Sequence, residues 1–407
     1  MTATLITSIG ELTTQTDECG TLHDAAIVID GERIAWIGAA TDAPPADERV
    51  DVAGRAVLPG WVDSHTHLVF AGDRAAEFVD RMAGRPYAAG GIMTTVGATR
   101  AASDAELRAH ALRLRAEALA GGTTVLEAKT GYGLDLDSEE RLARISAEVA
   151  DAVTFLGAHV VPAGVGRREY LDLVTGPMLA AVAPYAAFVD VFCEAGAFTV
   201  DESREVLLAG RAAGLGLKVH GNQLGESGGV GLAVELGAVS VDHVNHLSDA
   251  DLDALAGGMT MATILPGADL STREALAPAR RLADAGVRLA IASNCNPGTS
   301  FTTNMQFCVA TAVLQHHLSI EEAVAAATTG GAAALSLDVG PDAVGRLAVG
   351  GFASFQILGA PSIAHIAYRP GMPLVDAVWL RGRRDEGQFL PIVANRFSHP
   401  SCHQLRG

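Results

Sequence analysis

Histidines follow several of the predicted buried strands, and their number and spacing suit a divalent metal ion. His65 and His67 stand two positions apart directly after the run VLPGWVDS. On an extended chain, residues i and i+2 point the same way, so both imidazoles can reach one ion. An isolated HxH pair would more often be two surface histidines, but His220 and His243 end later strands in similar contexts. We therefore interpret these histidines as part of a metal site.

The sequence context indicates the role of His220 more clearly than that of His243. His220 follows the buried-strand run LGLKV, where a lone histidine would usually be a hydrogen-bonded core residue. Beside an HxH pair, a third metal ligand is the better interpretation. His243 follows VSVD and could ligate the metal, act as an acid or base, or hydrogen-bond Asp242. We favour acid–base or electrostatic work for it. A surface or core role is the default for His246, His316 and His317.

Other polar residues occur at the ends of predicted strands. Glu127 and Lys129 follow TTVL, His159 closes the third strand, Glu194 the fourth and Asn294 the eighth. In a parallel barrel the carboxyl ends of the strands form one face, and catalytic residues gather there. The pattern predicts a single polar site at that face.

The charge of the chain bears on its ligands. There are 47 acidic and 29 basic residues, which gives a net charge of -18. Such a field repels nucleic acid and anionic lipid, so an anionic substrate would need a local cation. Arg74, in VFAGDRAAEF, could grip a carboxylate bidentately, although a loop arginine is usually a solvated charge. Tyr132 lies in the turn KTGYGLD and could reach the same site, and the segment 296–299 offers backbone donors in a tight turn.

The middle of the chain predicts the elements that position these residues. Short apolar runs alternate with helix-like segments, which is typical of βαβ units and a parallel sheet. Capping signals include the box 137–140, Gly121 before the second strand, and a helix from Ser248 to Gly257. Eight strand candidates, the number that closes a (β/α)8 barrel, are VLPGWVDSHTHLVF, TTVLEAKTG, AVTFLGAHVV, AFVDVFCEAG, LGLKVHGNQ, AVSVDHVNH, MTMATILPG and VRLAIASNCNPG.

The two ends of the chain are rich in β signals. AAIVIDGERIAWIG predicts a hairpin around Asp30-Gly31, and GRLAVGGFASFQILGA and PLVDAVWLRG predict further short strands. We expect a small β-sandwich domain formed by residues 1–55 and 340–400, attached to a TIM-type barrel over residues 56–339.

Composition limits the class of protein. Of 407 residues, 49% are hydrophobic and 19% charged, which is enough apolar material for a large core and too little charge for disorder. Five scattered cysteines do not form a disulfide framework, so we expect a reducing cytoplasm. We find no secretory signal and no run of about 18 apolar residues that would span a membrane.

Taken together, the motifs resemble the amidohydrolase superfamily, and within it the imidazolonepropionase family of histidine degradation. HxH preceded by PG marks the superfamily, while HLVFAGDR, KTGYGL and NPGTS are much more specific. The other matching pieces are GAH at 157–159, FCEAGAFT, KVHGNQ, VDHVNHLSD and the ILPG run. They follow one another in family order from about residue 55 to 330.

The resemblance implies a set of roles. His65, His67 and His220 would bind one divalent metal ion, zinc or iron, and His243 would be a catalytic histidine. The substrate, 4-imidazolone-5-propanoate, would be opened by hydrolysis to N-formimidoyl-L-glutamate, the third step of histidine degradation. The residues implied as substrate contacts are Arg74, Tyr132, His159, Gln223, Asn296, Gly298 and Thr299.

One position departs from the family pattern. Asn294 stands in IASNCNPG where the family has an aspartate, which is both the fourth metal ligand and the proton acceptor for the attacking water. An asparagine can offer its amide oxygen to a metal but cannot take a proton. We expect Asn294 to keep the ligand position and to weaken proton transfer.

Two other functions remain open at this point. A deaminase of a cyclic amidine or nucleobase would use the same metal ligands, although a nucleobase has no carboxylate for an arginine to grip. A binding protein that has lost turnover through Asn294 is the second alternative. We expect a small anionic substrate, neither nucleic acid nor a membrane as partner, and a homodimer.

Overall fold

The computed structural model describes residues 3–84 and 91–385. Within these ranges, sixteen strands form two eight-stranded sheets. In chain order the strands are β1 (Ala3–Thr13), β2 (Thr21–Asp30), β3 (Arg33–Ala39), β4 (Glu48–Asp51), β5 (Ala56–Pro59), β6 (Trp61–Asp63), β7 (Thr123–Lys129), β8 (Ala152–Ala158), β9 (Phe188–Cys193), β10 (Gly216–Gly221), β11 (Ser240–His243), β12 (Met261–Ile264), β13 (Leu289–Ile291), β14 (Phe355–Leu358), β15 (Val375–Leu380) and β16 (Arg383–Arg384).

The first sheet joins the two ends of the described chain. Its order is β16-β15-β14-β5-β1-β2-β3, with β4 beside β1, and most of its pairs are antiparallel. Strands β2 and β3 form the predicted hairpin, in which Asp30 pairs with Arg33 across a tight turn. The sheet has its own apolar core, which includes Ile6, Ile27 and Phe355. This confirms a separate small β domain. Its strands are hydrogen-bonded into one sheet rather than two facing sheets, and residues 386–400 of the expected segment lie outside the described part.

The second sheet is the predicted barrel. Strands β6 to β13 are parallel and lie beside one another in chain order. The first and last strands meet just past their ends, where the His67 backbone N–H donates to the Cys295 carbonyl at 2.9 Å and that of Asn294 to His65 at 3.0 Å. All eight strand candidates are confirmed, and the eight-stranded barrel with them.

The crossing from one sheet to the other needs a glycine. Gly60 separates β5 from β6, and a Cβ at this position would lie 2.2 Å from the side-chain oxygen of Thr124. The backbone therefore passes against β7 without a side chain between them. This close approach fixes where the HxH segment enters the barrel.

Helices cover the outside of the barrel and one of them corrects a predicted boundary. The helix over Leu136–Val149 begins two residues earlier than the box 137–140 suggested, because Asp135 caps it in place of Asp137 by accepting from the Ser138 backbone N–H at 2.8 Å. The Ser248–Asp251 capping box and the Gly257 end are confirmed. The described helices are α1 (Ala75–Met82), α2 (Ile92–Ala101), α3 (Asp104–Ala120), α4 (Leu136–Val149), α5 (Arg167–Leu173), α6 (Leu179–Val182), α7 (Val200–Ala212), α8 (Gly229–Glu235), α9 (Asp249–Ala256), α10 (Pro266–Thr272), α11 (Ala279–Asp284), α12 (Met305–Leu314), α13 (Ile320–Ala325), α14 (Gly331–Ala333) and α15 (His365–Tyr368).

Two of these helices are joined to the next by π-helical turns, over Val174–Met178 and Ala326–Gly330. None of the helices in the described ranges has the length and apolar character needed to cross a membrane.

Candidate active site

The carboxyl ends of the barrel strands surround one cavity. Most of the residues that the sequence placed in the site line it, together with three apolar side chains. The lining residues are His67, Arg74, Ile92, Tyr132, His159, Val160, Phe192, His220, Gln223, His243, Asn294, Asn296 and Thr299. Two predicted site residues, His65 and Gly298, lie just behind this wall.

Four imidazoles form the centre of the site. His65, His220 and His243 have ring nitrogens that all lie within 4.8 Å of one another. The ring of His67 is 5.3 Å from that of His65 and 5.6 Å from that of His220, centroid to centroid. The structure thus brings together the three predicted ligands, and it places His243 as close to the group as any of them.

The chemistry of these nitrogens suits a metal ion. Among the described residues, His65 Nε2 and His67 Nδ1 are buried and have no hydrogen-bond partner. Burial, with the nearby Lys129 and His220, lowers the pKa of His65 well below its usual range, and burial does the same for the pKa of His67. Neutral imidazoles with unused lone pairs are the form that binds a metal. The residues present therefore fit a divalent ion.

Two carboxylates orient these imidazoles from behind. Asp242 Oδ2 lies 2.6 Å from His65 Nδ1, and Asp190 Oδ2 lies 3.0 Å from His220 Nδ1. A carboxylate on one ring nitrogen fixes the proton there and turns the other nitrogen outward as a ligand. Asp242 serves His65 in this way and does not bond to His243, its neighbour on β11, because successive side chains of a strand point to opposite sides.

The carboxylates in turn surround Lys129. Its Nζ lies 2.9 Å from Glu127, 2.8 Å from Asp190 and 3.6 Å from Asp242. Burial alone would lower the pKa of Lys129, but these three charges raise it well above the usual range. Burial would raise the pKa of Asp242, but the nearby Lys218, His65 and Lys129 hold that pKa well below its usual range. We call these charged groups the buried charge network: Glu127, Lys129, Asp190, Lys218 and Asp242.

The chain has only two lysines, Lys129 and Lys218, and both belong to this network. Their side chains are fully buried. Lys218 Nζ also donates to the Ser64 carbonyl at 3.0 Å, next to the HxH segment. The two ammonium groups therefore lie behind the imidazoles, and every other side chain with a permanent positive charge is an arginine.

Arg74 is buried at the cavity wall rather than solvated. Its Nε and Nη2 donate to the two oxygens of Glu77 at 2.9 and 2.7 Å. Gly298 packs against the same group, since a Cβ there would lie 2.2 Å from Nη1. Gly298 therefore leaves room for Arg74, and its implied contact with the substrate stays a prediction.

His159 and Tyr132 face the cavity from neighbouring strand ends, with ring centroids 5.7 Å apart. His159 Nδ1 lies 3.0 Å from the Gly131 carbonyl, so this nitrogen carries the proton and Nε2 is left as an acceptor. Burial and the adjacent His220 lower the pKa of His159 to about 3, and burial lowers that of His243 to about 3. Both rings are neutral at physiological pH.

The segment after β13 closes the other side. Asn296 Oδ1 accepts from the backbone N–H groups of Gly298 and Thr299, both at 2.8 Å. Its Nδ2 lies 3.1 Å from Asn294 Oδ1 and 2.8 Å from Thr299 Oγ1. Asn294 thus presents its amide beside the imidazoles on a short hydrogen-bonded turn. Opposite it, Gln223 is held by its backbone N–H, which donates to Glu194 at 2.9 Å.

Sequence reasoning missed the residues that support the site from behind. Asp190 and Asp242 each interrupt an otherwise apolar buried strand, in FVDVFC and SVDH. A lone acid in such a run is the signal that could have found them, because a buried charge needs a partner. Glu77 carried no comparable signal, as its role depends on where α1 packs.

Comparison with known proteins adds to this geometry. The model of the amidohydrolase family matches residues 56–384. An imidazolonepropionase of Saccharopolyspora erythraea is 61% identical over 388 residues, covering 95% of this chain and 100% of that protein. One of Paenarthrobacter aurescens is 61% identical over 400 residues, covering 94% and 98%. A zinc-bound adenosine deaminase of Xanthomonas campestris has a similar fold, with a TM-score of 0.67 at 19% identity over 94% and 92% of the two chains.

Proposed function

The chain belongs to the amidohydrolase family and to its imidazolonepropionase branch, and we infer from this that it hydrolyses 4-imidazolone-5-propanoate to N-formimidoyl-L-glutamate. The reaction opens a cyclic amide at a C–N bond and belongs to histidine degradation. Within the molecule, the observation that carries this function is the position of Arg74. A buried guanidinium shares one cavity with the imidazole cluster in a chain of net charge -18.

Arg74 also separates this function from that of a related deaminase. Glu77 already pairs with Nε and Nη2 of Arg74, and a propanoate tail would bring a second carboxylate to the same guanidinium. Such charge-assisted pairs are among the stronger hydrogen bonds. A nucleobase has no such group, so it would leave the cation of this cavity without a substrate partner. The structural likeness to an adenosine deaminase concerns the fold alone.

The enzyme uses a divalent metal ion. We propose that His65, His67 and His220 hold it, with the amide oxygen of Asn294 as a fourth ligand and with zinc or iron as the ion. Two observations support these ligands. His65 Nε2 and His67 Nδ1 have no hydrogen-bond partner in the described part of the chain, and Asp242 and Asp190 lie behind the rings of His65 and His220. When bound, such an ion polarises a carbonyl oxygen and lowers the pKa of a water molecule toward neutrality.

The protein's own residues orient the substrate and move protons. Arg74 would hold the propanoate tail and so fix the ring for attack. His159, with Nε2 as an acceptor, is suited to bind an N–H of the imidazolone ring, and Tyr132 would contact the ring from the adjacent loop. His243 is neutral, and a neutral imidazole can donate a hydrogen bond to the developing oxyanion.

We also propose that the enzyme acts in the cytoplasm. Cys193, Cys295 and Cys308 are buried free thiols. Thiols kept reduced are typical of that compartment. The acidic charge of the chain supports the further proposal that neither nucleic acid nor an anionic membrane is a partner.

The test of this function uses two substrates, with and without the propanoate tail, and two proteins, the parent enzyme and Arg74→Met. Purified enzyme should consume imidazolone-propanoate and form N-formimidoyl-L-glutamate, whereas an imidazolone without the propanoate tail should turn over far more slowly. Arg74→Met should raise KM for the propanoate substrate by about ten- to a hundredfold, which is the worth of a charge-assisted contact of roughly 1.5–3 kcal/mol. Metal content should not change.

Arg113→Met is a matched control, since it removes an exposed arginine that is paired with Glu117 on α3. It should leave KM unchanged. Equal turnover of the two substrates by the parent enzyme, or release of ammonia from a nucleobase in place of ring opening, would refute the proposal.

A further inference from the structure

A buried carboxylate organises the loop that follows β7. Glu139, in the first turn of α4, accepts hydrogen bonds from the backbone N–H groups of Gly131 at 3.0 Å, Gly133 at 2.6 Å and Leu134 at 2.9 Å. Its side chain has no exposed surface. Three converging amides around one carboxylate form an anion nest of the kind that bound anions usually occupy. Here the chain supplies the anion itself.

The loop backbone is shaped around this carboxylate. Gly131 and Leu134 both have left-handed backbone angles, with φ of 108° and 56°. Such angles turn successive N–H groups toward one side, and they are costly for a leucine unless the surroundings fix them. A Cβ on Gly133 would lie 2.6 Å from the backbone nitrogen of Glu139. The loop therefore has little freedom other than to close on Glu139.

This loop positions two side chains of the substrate cavity, Tyr132 and His159. Tyr132 lies at its centre, with its ring 5.8 Å from that of His67 and 5.7 Å from that of His159. The carbonyl of Gly131 accepts from His159 Nδ1, which sets the tautomer and the ring orientation of that histidine. Gly131 therefore contacts both residues: its carbonyl accepts from His159, and its N–H donates to Glu139.

We propose that Glu139 is a positioning residue for substrate binding, which acts through the loop 130–134 by fixing Tyr132 and His159 at the cavity. The inference rests on the proposed function, because it assigns these two side chains to the imidazolone ring. Glu139 itself is separated from the cavity by the loop and is not a catalytic residue.

The proposal predicts a particular pattern of coupling. Glu139→Gln replaces one acceptor oxygen by an NH2 group that faces backbone donors, so the loop must rearrange. We expect KM for imidazolone-propanoate to rise about tenfold, with a smaller change in kcat and with unchanged metal content. Because Glu139 acts partly through Tyr132, the Glu139→Gln/Tyr132→Phe double variant should raise KM by less than the product of the two single effects.

The experiment uses the metal-loaded full chain and two readouts. KM is measured by turnover, and the dissociation constant of imidazole-4-propanoate, which keeps the ring and the tail but has no scissile amide, is measured by calorimetry. Glu140→Gln makes the same chemical change at the next position of α4 and is the control; both of its constants should match those of the parent enzyme. Failure of the parent enzyme to hydrolyse the substrate while it binds the analogue would count against the proposed function alone.

Gly133→Ala provides a second approach, because it displaces the loop while leaving Glu139 intact, and it covers the case in which Glu139→Gln does not fold. It should weaken analogue binding by a similar factor. Unchanged constants in Gly133→Ala, or fully multiplicative effects of Glu139→Gln and Tyr132→Phe, would overturn the inference.

Discussion

At the scale of single residues, Asn294 is the position whose chemistry matters most. Its Oδ1 accepts from the Asn296 amide at 3.1 Å, and its Nδ2 donates to the Thr299 hydroxyl at 3.4 Å, a group that can rotate to donate instead. A carboxylate of the same shape could accept from both. The turn is therefore compatible with the aspartate that the family pattern has, and the asparagine removes a charge and a proton acceptor rather than a shape.

Asn294→Asp should consequently raise kcat. A positioned general base contributes roughly 10²-fold or more, and a carboxylate also strengthens metal binding by neutralising part of the ion's charge. We expect a kcat increase of about 100-fold and tighter metal retention, while KM for the substrate changes little. The measurement compares kcat of the two proteins at equal metal occupancy in one buffer.

If the asparagine form already turns over as fast as the aspartate form, proton transfer does not depend on position 294. His243 would then be the first candidate for the base, although its low pKa of about 3 makes it a weak one. Asn294→Ala is the control for packing, since it removes the amide without adding a charge.

At the scale of elements, the barrel strands explain both what the sequence predicts well and what it does not. Their buried apolar runs and the polar residues at their ends identified eight strands and most of the cavity lining. Side-chain pairs between strands distant in sequence could not be predicted, as with Asp242 and His65, which are 177 residues apart. The sequence misplaces the start of α4 because either Asp135 or Asp137 could serve as its cap, and in the structure Asp135 is the one that accepts from the Ser138 backbone N–H.

The buried charge network makes a prediction for stability. Lys129→Met leaves Asp190 buried without an ammonium partner and Glu127 with only Lys218, 3.5 Å away. Breaking a buried ion pair in this way costs roughly 3–5 kcal/mol. That is a large part of the total stability of about 5–15 kcal/mol that is typical of a native protein. We expect a clear loss of unfolding free energy in denaturant titrations, and reduced metal affinity as Asp190 and Asp242 lose their orientation.

The exposed pair of Arg113 and Glu117 again provides the comparison, because Arg113→Met should change stability by less than about 1 kcal/mol. Equal stability of Lys129→Met and the parent protein would show that the network is relaxed or hydrated. The role assigned to Lys129 would then be wrong.

At the scale of the whole molecule, one arrangement unites the charge, the fold and the site. The chain carries a net charge of -18, yet its cavity combines neutral imidazoles with a buried arginine. The barrel places these groups at one end. The small β domain joins the two ends of the described part of the chain through β5, directly before the strand that leads to His65. The expected homodimer stays a prediction, which sedimentation equilibrium can test.

The central claim is that this chain is a metal-dependent hydrolase whose centre is built on the HxH pair. The most direct test is a titration of chelator-treated protein with zinc and, under anaerobic conditions, with ferrous ion, while the consumption of imidazolone-propanoate is followed. Activity should be absent without metal, rise in proportion to the ion added and level off at one equivalent, and His65→Ala should neither bind the ion tightly nor recover activity. Full activity in the metal-free protein, or one equivalent of tightly bound metal in His65→Ala, would contradict the account.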